Sequence, residues 1–116
     1  MKRLGFIVNP IAGIGGAVGL KGSDGEETLK RAIALGAKPV APGRARLFLE
    51  ELSGLGCKFQ LYAGAGAMGE DEAISCGLRP SLIIGERREK TTAEDTKKAA
   101  AFMANNEVDL LVFCGG

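Results

Sequence analysis

The chain has no histidine and no tryptophan, and aromatic residues make up only 5% of its 116 residues. Without histidine, the commonest metal ligand and the usual side chain for proton transfer near neutrality are missing. Cys57, Cys76 and Cys114 stand far apart and form no Cys-x-x-Cys pair. A structural zinc centre is therefore excluded. An odd, scattered set of thiols is also a poor disulfide framework and fits a reducing, cytoplasmic compartment. Cys114, inside an apolar run, reads as a small buried hydrophobe rather than a reagent. No sign of charge dominates either: 15 Lys and Arg face 14 Asp and Glu, for a formal net charge of +1. That balance gives no footprint for a nucleic acid or an acidic membrane surface. No segment approaches the roughly 20 apolar residues of a membrane span. Met1-Lys2-Arg3 is followed by only a brief apolar run before Asn9-Pro10, unlike a signal peptide. Neither a nucleic acid nor a membrane is expected as partner.

Glycine is the residue in excess. There are 18, about twice the usual ~7% share. Gly13, Gly15, Gly16, Gly19, Gly22 and Gly25 crowd one stretch, Gly64, Gly66 and Gly69 a second, and Gly115-Gly116 open a third. The length suits one domain over residues 1–116 with a single core.

Four apolar runs punctuate the chain: "RLGFIVNP" (3–10), "CKFQLYA" (57–63), "PSLIIGE" (80–86) and "VDLLVFCGG" (108–116). The first and last are continuous rather than alternating, as in strands buried on both faces. Helical patterns lie between them. Ala45, Phe48, Leu52 and Leu55 recur at helical spacing after Pro42, a favoured first-turn residue, and this helix should stop near Gly54 or Gly56. A shorter helix is predicted from about Glu26 to Leu35. In "TTAEDTKKAAAFMANN", Thr91 and Glu94 fit a capping box, and Ala93, Thr96, Ala100 and Met103 form the inward stripe. Strands alternating with helices predict an α/β fold. It should be a three-layer sandwich, a mainly parallel sheet of about four strands with helices on both faces, Rossmann-like in its winding. Ligands of such folds collect at the carboxyl ends of the strands, where all three glycine clusters fall.

Each cluster has two readings. "NPIAGIGGAVGLKGSDG" can converge backbone amides on a phosphate, with Lys21 and Ser23 adding a charge and a hydroxyl. It can equally be a linker whose Asp24 caps the next helix. It is not a Walker A loop, since no Gly-Lys-Ser/Thr follows at the required spacing. "GAGAMG" (64–69) fits Gly-x-Gly-x-x-Gly, with Glu86 near the offset of a ribose-binding acid. Against that, Glu70, Asp71 and Glu72 crowd the first turn of the short helix that must follow, and would repel a pyrophosphate there. The alternative is simply a short helix.

Taken in order along nearly the whole chain, "FIVNPIAGIGG…GLKGSDG", "MGEDEA", "TTAEDTKKAA" and "DLLVFCGG" resemble the N-terminal domain of ATP-NAD kinase-like proteins of the acetoin-catabolism-X type, within the superfamily of NAD kinases and diacylglycerol kinases. The resemblance implies phosphoryl transfer from ATP, with Mg²⁺, to a hydroxyl of NAD or a related small molecule. It implies that Asn9 and Pro10 open the donor-phosphate loop and that Gly13, Gly15 and Gly16 turn amides toward the phosphates. Thr91 and Thr92 match a threonine near the nucleotide in the related lipid kinases; their other reading is helix capping. Gly115 and Gly116 match the first two positions of a Gly-Gly-Asp-Gly-Thr loop whose Asp is catalytic. "GAGAMG" departs from the family, where Pro and Glu usually precede Met-Gly.

The resemblance thus implies a chain cut inside that loop, folded but without kinase activity, and lacking the β-rich second domain. Apolar surface left bare by such a cut predicts a homo-oligomer. The alternative from another class is a non-catalytic dinucleotide-binding module built on Gly64–Gly69 and Glu86; an interaction domain without ligand is a third. A phospho-receiver is disfavoured because Asn9 stands where an acid pair is expected.

Overall fold

The computed structural model describes residues 1–11, 40–56, 58–88 and 90–115. The helix predicted near Glu26–Leu35 lies outside them, as do Gly13, Gly15, Gly16, Cys57 and Gly116. The described elements are β1 (Lys2–Val8), α1 (Ala41–Gly54), β2 (Phe59–Gly64), a short 3₁₀ turn (Gly66–Met68), α2 (Glu70–Ser75), β3 (Leu82–Ile84), α3 (Ala93–Asn105) and β4 (Leu110–Cys114). All four apolar runs have become strands, paired in parallel in the order β3-β2-β1-β4.

Strand alternation divides the core into two halves. Leu4, Phe6 and Val8 of β1 pack with Ala41, Ala45 and Leu49 of α1, Leu61 of β2 and Ala73 of α2. The rings of Phe6 and Phe48 stack here at 5.8 Å. On the other face Ile7, Met68 and Ile84 pack with Ala99 and Met103 of α3. Gly5 faces that same layer: a Cβ built on it would lie 2.8 Å from Met103 Sδ. A right-handed crossover, the near-universal hand, carries β1→β2→β3 with both connecting helices on one face. It then returns α3 over the opposite face to β4. The division of the core follows that doubly wound path.

Two locks fix β1 against β4. At their amino ends, Arg3 N–H donates to Asp109 Oδ2 (2.8 Å) and Arg3 Nη1 donates to the Asn106 carbonyl (3.0 Å). At their carboxyl ends, Asn9 N–H donates to the Cys114 carbonyl at 2.8 Å.

Four expectations need correction. The capping box of α3 is Thr92 with Asp95, not Thr91 with Glu94. The inward stripe of α3 is centred on Ala99 and Met103, while Ala93 is exposed, because the helix turns its face toward the space that Gly5 leaves over β1. And β4 is an edge strand of the sheet formed by the described residues, which do not cover it on both faces, with Leu110, Leu111 and Phe113 exposed. In α1, Leu55 falls beyond the last turn and is likewise exposed.

Candidate functional site

The sheet reverses its winding between β1 and β4. One connection leaves toward β2 and the other arrives from the far side, so the reversal of winding falls between the carboxyl ends of these two strands, the place where open α/β sheets take ligands. Asn9 and Gly115 flank it. Their backbones are tied through the Asn9 N–H···O=C Cys114 bond, and a Cβ built on Gly115 would stand 3.4 Å from Asn9 Cβ. Asn9 Oδ1 accepts from the Ile11 N–H at 3.3 Å, which bends the chain around Pro10. The structure therefore brings together Asn9, Pro10 and Gly115 from opposite ends of the sequence.

On the α1/α2 side, two further features face this end of the sheet. The first is the start of α1. Its N-cap, Val40, has no side-chain acceptor, and Pro42 has no N–H. The Ala41 and Gly43 amides have no hydrogen-bond partner among the described residues, and the helix presents the positive end of its dipole here. The second is Glu72, in the first turn of α2 and only 3% exposed. Its Oε2 has no hydrogen-bond partner among the described residues. The carboxyl acts electrostatically on Cys114 at the end of β4 and is itself acted on by Arg46 of α1. Burial, reinforced by the neighbouring Asp71, pushes its pKa up to about 7 against the opposing pull of Arg46 and of the Gly69 and Glu72 backbone. The Cys114 thiol is raised by burial and then by Glu72, so it remains protonated and packs as an apolar group.

Thr91 and Thr92 lie at the start of α3, and Thr92 spends its hydrogen bonds on that helix. Its Oγ1 accepts from the Asp95 N–H (3.4 Å) and donates to Asp95 Oδ2 (3.2 Å), while its own N–H donates to the same oxygen (2.9 Å). Capping is thus the role its geometry displays; Thr91 is half-buried beside it.

The "GAGAMG" loop is engaged by the protein itself. The Gly66 N–H donates to Glu70 Oε1 at 2.8 Å, where a pyrophosphate oxygen would have to come. Arg87 closes over it, bidentate to Asp71 at 2.9 and 2.7 Å and 3.4 Å from Glu70. A Cβ on Gly66 would already be 3.2 Å from Arg87 Cγ. Gly64, Gly66 and Gly69 are buried, and Glu86 is exposed. Gly69, at φ 138°, bridges to Gly64 at the end of β2, and an added Cβ would meet the Phe6 carbonyl at 3.0 Å. These glycines serve close packing of the chain on itself, and nothing in this geometry favours the dinucleotide module.

Glu72 is not among the site residues that the sequence indicates. Its one legible signal is helical spacing: Glu72 shares a face with Cys76, and both flank Ala73, which packs into the core. Among the described residues, no group of three or more His, Cys, Asp or Glu is placed to hold a metal ion. Nor is any helix there long and apolar enough to cross a membrane. Comparison with family models, with curated proteins and with solved structures finds no match to the chain.

Proposed function

We propose that the chain is a nucleotide-binding α/β domain that takes the phosphates of ATP at the carboxyl ends of β1 and β4, as part of an NAD kinase-like phosphotransferase. The observation that carries the reading is the adjacency of Asn9 and Gly115 across the point where the sheet reverses its winding. This is the place where open α/β sheets take ligands. It is also where the resemblance places the donor-phosphate loop and the double-glycine loop, two segments a whole chain apart in sequence. The amino end of α1, with the positive end of its dipole, suits an anion. Gly13, Gly15 and Gly16, which follow Pro10 closely in sequence, and Gly116 lie outside the described residues, and it is the resemblance that assigns them to the phosphates; Thr91 and Thr92 stand at the same end of the sheet.

Phosphoryl transfer needs positioning and charge stabilisation more than covalent chemistry from the protein. Mg²⁺ would supply charge neutralisation between the phosphates, but the described residues offer no ready set of ligands for it. The chain's own contribution is donors from backbone amides. Residues 1–116 hold no match to the family's catalytic Asp, so the reading concerns donor binding, with NAD or a related hydroxyl compound as acceptor in the whole enzyme. A cytoplasmic location accords with Cys76 and Cys114 standing as free thiols.

The test is equilibrium binding of ATP and of NADH to the purified chain, with Gly15→Val and Gly66→Val variants. ATP should bind, and Gly15→Val should weaken it at least tenfold, whereas Gly66→Val should leave any ATP affinity intact if the variant folds. NADH binding that is lost in Gly66→Val, without ATP binding, would refute the reading in favour of the dinucleotide module.

A further inference from the structure

Phe113 is the penultimate residue of β4, and its ring takes no part in the core. It is 50% exposed and belongs to neither half of the packed interior. Among the described residues it stacks on no other ring, the one such pair being Phe6 with Phe48. From its placement we infer that Phe113 is the residue on which the base of the bound nucleotide stacks, which makes the site one for a nucleoside triphosphate and not for inorganic polyphosphate. The inference rests on the nucleotide reading above and adds to it the choice of phosphoryl donor.

The pairing register sets Phe113 beside Ile7, whose side chain packs on the α3 face of the sheet, so the ring stands on that face too. There α3 packs over Ile7 and Tyr62 and leaves Phe113 half open. Gly115, two residues on, points the same way, and the ring leans over it: a Cβ built on Gly115 would be 2.5 Å from both Cε1 and Cζ of Phe113. A side chain at 115 would push the ring aside, so the glycine is what lets it lie along the strand toward its carboxyl end. The same built Cβ is 3.4 Å from Asn9 Cβ. The edge of the ring, Gly115 and Asn9 therefore meet at the carboxyl ends of β1 and β4, where the proposed site takes the phosphates. A ring has no charge and no hydrogen-bonding atom, so stacking and apolar area are all it can offer a ligand. A nucleobase can use both, whereas polyphosphate, which is charge throughout, gains from neither. Stacking also tolerates any base, so the ring registers that a base is present and not which one; GTP should bind within severalfold of ATP.

The chain holds no tryptophan, so Phe113→Trp places a single fluorescent reporter on the proposed stacking face. Its emission should be quenched by saturating ATP and left unchanged by saturating inorganic tripolyphosphate. Affinities of the same two ligands for wild type and for Phe113→Leu, which keeps an apolar side chain but removes the ring, separate base from phosphate. Wild type should prefer ATP to tripolyphosphate by about five- to a hundredfold, the usual worth of one base on an aromatic ring. Phe113→Leu should lose most of that preference through weaker ATP binding, with tripolyphosphate affinity within twofold of wild type. ATP bound no better than tripolyphosphate, an equal loss of both ligands in Phe113→Leu, or a preference that Phe113→Leu keeps, overturns the stacking role and leaves the phosphate site standing. An ATP complex of Phe113→Trp with unquenched emission does the same, independently of whether Phe113→Leu folds. Failure of wild type to bind either ligand overturns both readings.

Discussion

At the scale of single residues, Glu72 sets a pH dependence of folding. Its carboxyl titrates at about 7 in the folded chain against an ordinary value of 4.5. Between those values the native state keeps a proton that the unfolded chain has lost, so stability falls as pH rises through this window. Above it both states are ionised and the penalty is complete. A tenfold difference in proton affinity between folded and unfolded chain is worth about 1.4 kcal/mol. Glu72→Gln keeps the shape and cannot ionise, so it should gain on the order of 2–3 kcal/mol over wild type between pH 5 and pH 8. Chemical denaturation across that range would measure it; parallel pH profiles for the two proteins would show that the carboxyl is solvated instead. Gly5 gives a second residue-scale prediction. Met103 is fully buried, and its Sδ lies 2.8 Å from the place a Cβ would occupy, so the side chain must shift within the core. Gly5→Ala should therefore cost about 1–3 kcal/mol by overpacking, read as a lowered denaturation midpoint at unchanged slope.

At the scale of elements, the cap of α3 decides between two roles for Thr92. Its side chain and N–H are both committed to Asp95, whose carboxyl also pairs with Arg88 at 3.3 Å. Thr92→Ala should cost about 1 kcal/mol of stability, the usual worth of such a cap, and leave ATP affinity within twofold of wild type; a tenfold loss of affinity in a fully folded variant would assign the hydroxyl to the ligand. The placement of this cap marks where sequence reasoning stops. Thr91-x-x-Glu94 and Thr92-x-x-Asp95 satisfy the same local rule, and the choice between them depends on Arg88, which reaches Asp95 only once the chain after β3 has turned. The four strands and the extent of α1 were legible because each rests on local information: an apolar run, Pro42 at the start of the helix, Gly56 just past its end at φ 69°. The face of α3 was legible in part: Met103 and Ala100 of the expected stripe do pack into the core, whereas Ala93 is exposed and Ala99 is buried against the layer that Gly5 faces. The same division holds at the candidate site. Asn9 and Gly115 were visible as turn residues after strands, but Glu72 looks like its neighbours Glu70 and Asp71. Only packing separates the three: Glu70 and Asp71 turn outward to Gly66 and Arg87, and Glu72 turns inward.

At the scale of the whole molecule, the two edges of the sheet are unequal. β3 is three residues long, preceded by Pro80 and followed by Gly85, and such short edges resist pairing with another chain. β4 carries neither protection. From Leu110 to Cys114 it has no charge and no proline, and Leu110, Phe113 and Leu111 are 59, 50 and 39% exposed. Phe102 of α3 is exposed as well. The continuous apolar run that suggested a doubly covered strand is real, but among the described residues only the sides of Val112 and Cys114 toward α1 are covered. An uncharged strand whose hydrogen-bonding edge is unpaired among the described residues is a template for a second strand, and in solution the nearest supply is another copy. The chain should therefore self-associate with rising concentration, seen by sedimentation velocity from the low to the high micromolar range. Phe113→Lys places a charge on the exposed side of that edge, at a position half open to water. It should shift the equilibrium to monomer while changing the thermal midpoint little, because little buried area is lost. A wild-type chain that stays monomeric throughout, or a Phe113→Lys variant that associates as strongly, would mean that β4 is not the associating edge.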